Sequence, residues 1–155
     1  LAANDSATVT LGHWCDARRI ADPPAIRALA DRTAQSDASP AIRATLGVSE
    51  SDAVGYRHVR LACGNTVLSI AHNWYVPARL TPEMNRALES SETPFGKVVA
   101  PLGFSRERLA SQRGPMAECP VGTILSHRAV LKLADGRAIS LVVECYTRAN
   151  IRGAD

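Results

Sequence analysis

The segment AISLVVECYT, residues 138–147, constrains the fold of this chain more than any other stretch. It is an almost unbroken apolar run that carries one carboxylate, Glu144, near its end. An ionised carboxylate is expensive to bury alone, and it takes up a proton or recruits a cation or hydrogen-bond donor instead. A fold that buries this run must therefore find Glu144 a partner. Strand alternation places Glu144 on the face of Val142 and Ser140, with Val143 and Cys145 opposite.

The same run is half of a hairpin signal. TILSHRAVLKL and RAISLVVECYT flank Ala134-Asp135-Gly136, and VGYRHVRLAC and TVLSIAHNWYV flank Gly64-Asn65; both are β-rich pairs around turn-forming residues. On VGYRHVRLAC, Arg57 shares a face with Val59 and Leu61, while His58 and Arg60 share the other. PPAIRALADR and FSRERLAS add two further strands, and the polar TAQSDASP and the RGPMAECPVG stretch read as loops.

Helices are marked by their starts and stops. NDSATVTLGHWCDARRIA offers Asp5 or Ser6 as an N-cap, with Val9, Trp14 and Ile20 as apolar positions, weakened by Thr8, Thr10 and Gly12. SPAIRATLGV has Ser39 as cap, Pro40 in the first turn and Gly47 as stop. TPEMNRALESS begins on Thr81-Pro82 and sets Met84 and Leu88 one turn apart; TPFGKVVAPLG begins another helical turn on Thr93-Pro94. The sum is an α+β domain spanning 1–155: an antiparallel sheet of five or six strands with helices mainly on one face.

At 155 residues, 46% hydrophobic and 21% charged, the chain is large enough to build one ordinary core. No apolar segment approaches the ~20 residues of a membrane-spanning helix, so no membrane insertion is expected. The net charge is +3, but Lys and Arg are scattered and aromatics make up only 5%, which disfavours nucleic acid and suits a small anionic partner. No glycine-rich phosphate loop, nucleotide fingerprint, zinc-protease motif or nucleophile elbow occurs, so no cofactor is expected. The four histidines and four cysteines lack metal-ligand spacing, and no metal is expected. Four cysteines permit three complete pairings, and buried thiols or disulfides are equally open at this point.

Several segments together carry a family resemblance. DSAT (5–8) opens the N-terminal helix, YRHVRL (56–61) lies on the first hairpin, and VP (76–77) precedes a helix; TPFGKVV (93–99) and DGRAISLVVE (135–144) follow in order. In that order and spacing the chain resembles chorismate pyruvate-lyase and the related effector-binding domains of bacterial transcription regulators. The resemblance implies a chorismate-lyase-like fold and a pocket for a small aromatic or enolpyruvyl carboxylic acid. It implies either a lyase releasing pyruvate from chorismate, or a non-catalytic aromatic-acid-binding or structural protein of the same fold.

Carried over residue by residue, the resemblance makes Arg57 the grip on the ligand carboxylate and Glu144 the group that meets its hydroxyl end. These two would be the catalytic pair in a lyase. A register shifted by one residue would place His58 there, with Arg60 facing the same way as a further ligand contact. Phe95 falls where the family has an apolar residue against the aromatic ring, and Ala7 where it has a larger pocket residue. Glu144→Gln is expected to preserve folding while changing affinity. The SAT…L..WC opening and the stretch NWYVP.RLTPEMN are similar to exported lyase-like proteins, which implies a periplasmic or exported location; without a signal peptide before residue 1 the location would be cytoplasmic. In an exported protein, Cys15 in the first helix and Cys63 at a strand end are expected to form a disulfide, with Cys145 remaining reduced.

Overall fold

A computed structural model describes residues 7–152, and all statements on structure refer to these. Six strands form one antiparallel sheet: β1 (Ile26–Ala30), β2 (Gly55–Cys63), β3 (Thr66–Tyr75), β4 (Ser105–Arg113), β5 (Leu125–Lys132) and β6 (Ala138–Tyr146), in the order β1-β2-β3-β6-β5-β4. The two hairpins read from the sequence, β2–β3 and β5–β6, join through β3 against β6. This puts the apolar run at the centre of the sheet, where every residue of β6 is buried. A strand covered on both faces needs apolar side chains on both, which is why AISLVVECYT does not alternate with exposed polar residues. Gly64 turns the β2–β3 hairpin with φ of 59°, a conformation that costs glycine little.

Helices α1 (Ala7–Ala17), α3 (Pro82–Ser90) and α4 (Phe95–Val98) cover one face of the sheet. Leu11 and Cys15 of α1 pack with Val59, Leu61 and Ala71, and Met84, Leu88 and Phe95 pack with Leu131. The opposite face carries Trp74, Val143 and Cys145 and is covered by α2 (Pro40–Leu46) through Leu46. Ser39 accepts a hydrogen bond from the Ile42 amide and Thr81 from that of Met84, capping α2 and α3. Arg79 then donates to the carbonyls of Leu46, Gly47 and Ala138, tying the C-terminus of α2 to the start of β6. The capping expected of Asp5 or Ser6 lies outside the described residues. No helix among the described residues is long and apolar enough to cross a membrane.

Two disulfides are present. Cys15–Cys63 fastens α1 to the end of β2. Cys119–Cys145 corrects the expectation of a reduced Cys145. Alternation does turn Cys145 away from Glu144, but the 114–124 loop folds back over that face. The Ser126 hydroxyl accepts from the Met116 amide and donates to the Gly114 carbonyl, which sets Cys119 over β6. Nothing in an irregular loop sequence reveals where it lands.

The bridges close segments with sequence separations of 48 and 26 residues. Loop-closure entropy makes each worth about 3–4 kcal/mol against the unfolded chain. Thiol titration of the denatured, unreduced protein is expected to find no free cysteine. Cys119→Ser with Cys145→Ala is expected to lower stability by a few kcal/mol while the sheet persists; two free thiols in the unreduced protein would contradict this arrangement.

Candidate functional site

The site lies on the sheet face beneath α4. Arg57 of β2 stands opposite Asn73 of β3, which stands opposite Val142 of β6; one step along, Ala71 faces Glu144. Directly opposed residues in an antiparallel sheet share a face. Arg57, Asn73, Arg106, Glu144 and Phe95 accordingly line one cavity of about 60 Å³, with Val59, Leu61, Ala71, Leu131 and Val142 as its apolar walls.

The charge of Glu144 is held by Arg106 of β4, a residue the sequence reading passed over. The Nη1 of Arg106 donates to Glu144 Oε2 at 3.2 Å and its Nη2 to Oε1 at 2.5 Å, a bidentate pair with both side chains almost fully buried. The Tyr146 hydroxyl donates to the same Oε1 at 3.2 Å. Burial works against the charge on Arg106, but the carboxylate beside it prevails and raises that guanidinium above its ordinary value. Burial, reinforced by Glu144, holds the Tyr146 phenol well above its usual value, so it stays a donor. His127, opposite Glu144 in the register, packs edge-on against the Tyr146 ring. Burial pushes its imidazole below the ordinary value, against the pull of Glu144.

Arg57 is the contrary case. It is 7% exposed, and its Nε and Nη2 have no hydrogen-bond partner among the described residues. Burial lowers its guanidinium from the ordinary value, with Tyr75 opposing the shift and Arg32 adding to it. Nε and Nη2 form one edge of the guanidinium plane, the edge that accepts a carboxylate in a bidentate fork. Arg57 also lines a second, outer cleft with Asp31, Arg32, Tyr75 and Glu89. Gly55 keeps Tyr75 in place between strand and cleft, because a Cβ at Gly55 would sit 2.4 Å from the Tyr75 ring.

The remaining expected residues separate. Phe95 is buried in the cavity wall and its ring meets that of Tyr75 at 5.7 Å. Arg60 is exposed on the opposite face, a correction that follows from strand alternation once Arg57 points into the cavity. His58 shares that outer face and stacks on His72 at 4.6 Å. Ala7 opens α1, and its side chain lies outside the described residues.

No family model matches the chain. Its fold is shared with effector domains of bacterial transcription regulators. The effector domain of PhnF from Mycobacterium smegmatis superposes with a TM-score of 0.62 at 13% identity, over 96% of this chain and 91% of that one. A GntR-family regulator from Bacillus cereus gives 0.56 at 15% identity over 84% and 96%. YydK of Bacillus subtilis, a possible transcriptional regulator, gives 0.57 at 12% identity over 84% of this chain, which spans 60% of YydK. In sequence, the chain is 44% identical over 167 residues to the uncharacterized protein y4mC of Sinorhizobium fredii, covering 95% of this chain and 70% of that protein. The chain belongs to the y4mC family.

The Glu144–Arg106 pair overturns the expectation that Glu144→Gln leaves folding untouched. Neutralising Glu144 strands a buried guanidinium, and Glu144→Gln or Arg106→Met is expected to destabilise by about 3–5 kcal/mol in denaturant titration. The Arg106→Met, Glu144→Leu double variant should recover much of that loss; additive losses would show that the two side chains are not coupled. Acid should also weaken the fold. His72 and His127 are both held below their unfolded values, mainly by burial, so the unfolded chain takes up protons first as pH falls. Stability is expected to be full above about pH 6.5 and to decline below it, with a shallower decline in His127→Gln; a wild-type stability that is flat from pH 7 to 5 would contradict this.

Proposed function

We propose that this domain binds a small carboxylic acid, with Arg57 as the group that grips the carboxylate. The observation that carries this reading is the buried Arg57 fork, unpartnered at the wall of a cavity whose one carboxylate, Glu144, is already paired with Arg106. A buried cation without a partner is costly, and an anionic ligand removes that cost. The effector-domain fold supports a ligand-binding role, since one solved relative in fold is the ligand-binding domain of a GntR-family regulator from Bordetella bronchiseptica.

An aromatic acid remains the family-inspired choice, and Phe95 in the cavity wall favours it. The cavity volume of about 60 Å³ favours something more compact, because a benzene ring occupies an engineered cavity of ~150 Å³. An aromatic acid would require the Phe95 wall to move outward. The lyase reading is weaker. Glu144 already accepts from Arg106 and Tyr146, so proton transfer to a leaving enolpyruvyl group would first have to break a buried bidentate pair. Binding without turnover is the better-supported function. Two disulfides also support an exported, oxidising setting for the protein.

Calorimetric or NMR titration with acetate, propionate, benzoate and 4-hydroxybenzoate, run beside a pyruvate-release assay on chorismate, tests this reading. Saturable binding of at least one acid is expected, weakened by about 1.5–3 kcal/mol in Arg57→Ala, the value of a hydrogen bond to a charged group. No pyruvate release is expected. Failure of every acid to bind would refute the ligand-binding reading, and rapid pyruvate release would make the protein a lyase.

A further inference from the structure

Four polar side chains line the Arg57 cavity: Arg57, Asn73, Arg106 and Glu144. Arg106 and Glu144 satisfy each other, which leaves two with unmet hydrogen-bonding capacity. Asn73 is 4% exposed, and its Oδ1 has no partner among the described residues. It stands in the middle of β3, between Arg57 on one side and Val142 on the other. A central strand disfavours asparagine, and a buried amide is normally hydrogen-bonded. Leu68 and Ala71, buried with Val59 and Leu61 on the cavity side of the same strand, show the apolar residues such a position otherwise takes.

We propose that Asn73 is the second polar contact of the bound acid and selects ligands that carry a hydroxyl group. The proposal rests on the reading of Arg57 as the carboxylate grip and specifies the class of acid it takes. The guanidinium fork supplies only donors, so it reads the carboxylate and nothing else on the ligand. The Asn73 amide supplies an acceptor on one side and donors on the other. A hydroxyl both donates and accepts, so it satisfies the amide in either orientation. Glu144 already accepts twice from Arg106 and once from Tyr146, so it is less open to a ligand hydroxyl than the Asn73 amide. The ligand class is therefore a compact hydroxycarboxylic acid, its hydroxyl read by Asn73 instead of by the glutamate.

Matched pairs of acids separate this role from that of Arg57. Propionate is compared with lactate and 3-hydroxypropionate, and benzoate with its 2-, 3- and 4-hydroxy forms, by NMR titration of wild type, Asn73→Leu, Asn73→Ala and Arg57→Ala. Wild type is expected to prefer a hydroxylated member by roughly five- to tenfold, the effect of one hydrogen bond. Asn73→Leu and Asn73→Ala should lose that preference, so that the plain and hydroxylated members of a pair bind alike. Arg57→Ala should weaken both members of a pair alike. Ligand-free Asn73→Leu should melt no lower than wild type, because it removes a buried amide without a partner. A preference that survives both Asn73 variants, or no preference in wild type while Arg57→Ala still weakens binding, overturns the Asn73 assignment alone. Failure of all the acids to bind wild type overturns the Arg57 reading and this one with it.

Discussion

The buried pair between Arg106 and Glu144 is the interaction on which the rest of this site depends. A central strand covered on both faces cannot hold a lone carboxylate, so β6 is possible only because β4 sends a guanidinium across β5 to meet it. The pair joins the edge of the sheet to its centre, and the Tyr146 hydroxyl completes the coordination. It also settles the electrostatics of the cavity. With Glu144 neutralised by its own arginine, Arg57 stands as a cation not cancelled by a neighbouring carboxylate in the cavity wall. Had Glu144 paired with Arg57 instead, Arg106 would have been left as the buried cation without a carboxylate.

The two arginines thus divide the work that a single Arg–Glu pair would otherwise share. Arg106 is structural, paired with a carboxylate and almost inaccessible. Arg57 is equally buried but unsaturated, and it lies between the inner cavity and the outer cleft lined by Asp31, Tyr75 and Glu89. A group that the fold could have satisfied with a backbone carbonyl and did not is a stronger pointer to a ligand than exposure or size of a pocket. Asn73 beside it has the same character in neutral form.

Much of this was legible in the sequence because it followed from local rules. Turn residues at Gly64-Asn65 and Asp135-Gly136, Thr-Pro and Ser-Pro helix starts, and the apolar run in β6 located the elements, and alternation placed Arg57 and Glu144 on inward faces. The pairing of Glu144 was not legible. Arg106 sits in SRERLASQR, an edge strand whose other residues are exposed, and nothing local sets it apart from Arg108 two positions later. Only the order β6-β5-β4 brings it within reach. Cys119 was hidden for the same reason: its partner is fixed by how a loop folds back, which is a tertiary fact. Asn73 drew no notice because an unsatisfied amide is defined by what surrounds it.

The division between a closed and an open arginine is tested most directly by the side-chain Nε–H signals of Arg57 and Arg106 in an ¹H–¹⁵N spectrum, recorded as lactate or another bound acid is added. The Arg106 signal is predicted to be sharp, protected from exchange and unmoved throughout. The Arg57 signal is predicted to shift and become protected as the acid saturates the site. An Arg106 signal that follows the titration while that of Arg57 stays fixed would contradict the account, since the carboxylate would then be competing with Glu144 for the wrong guanidinium.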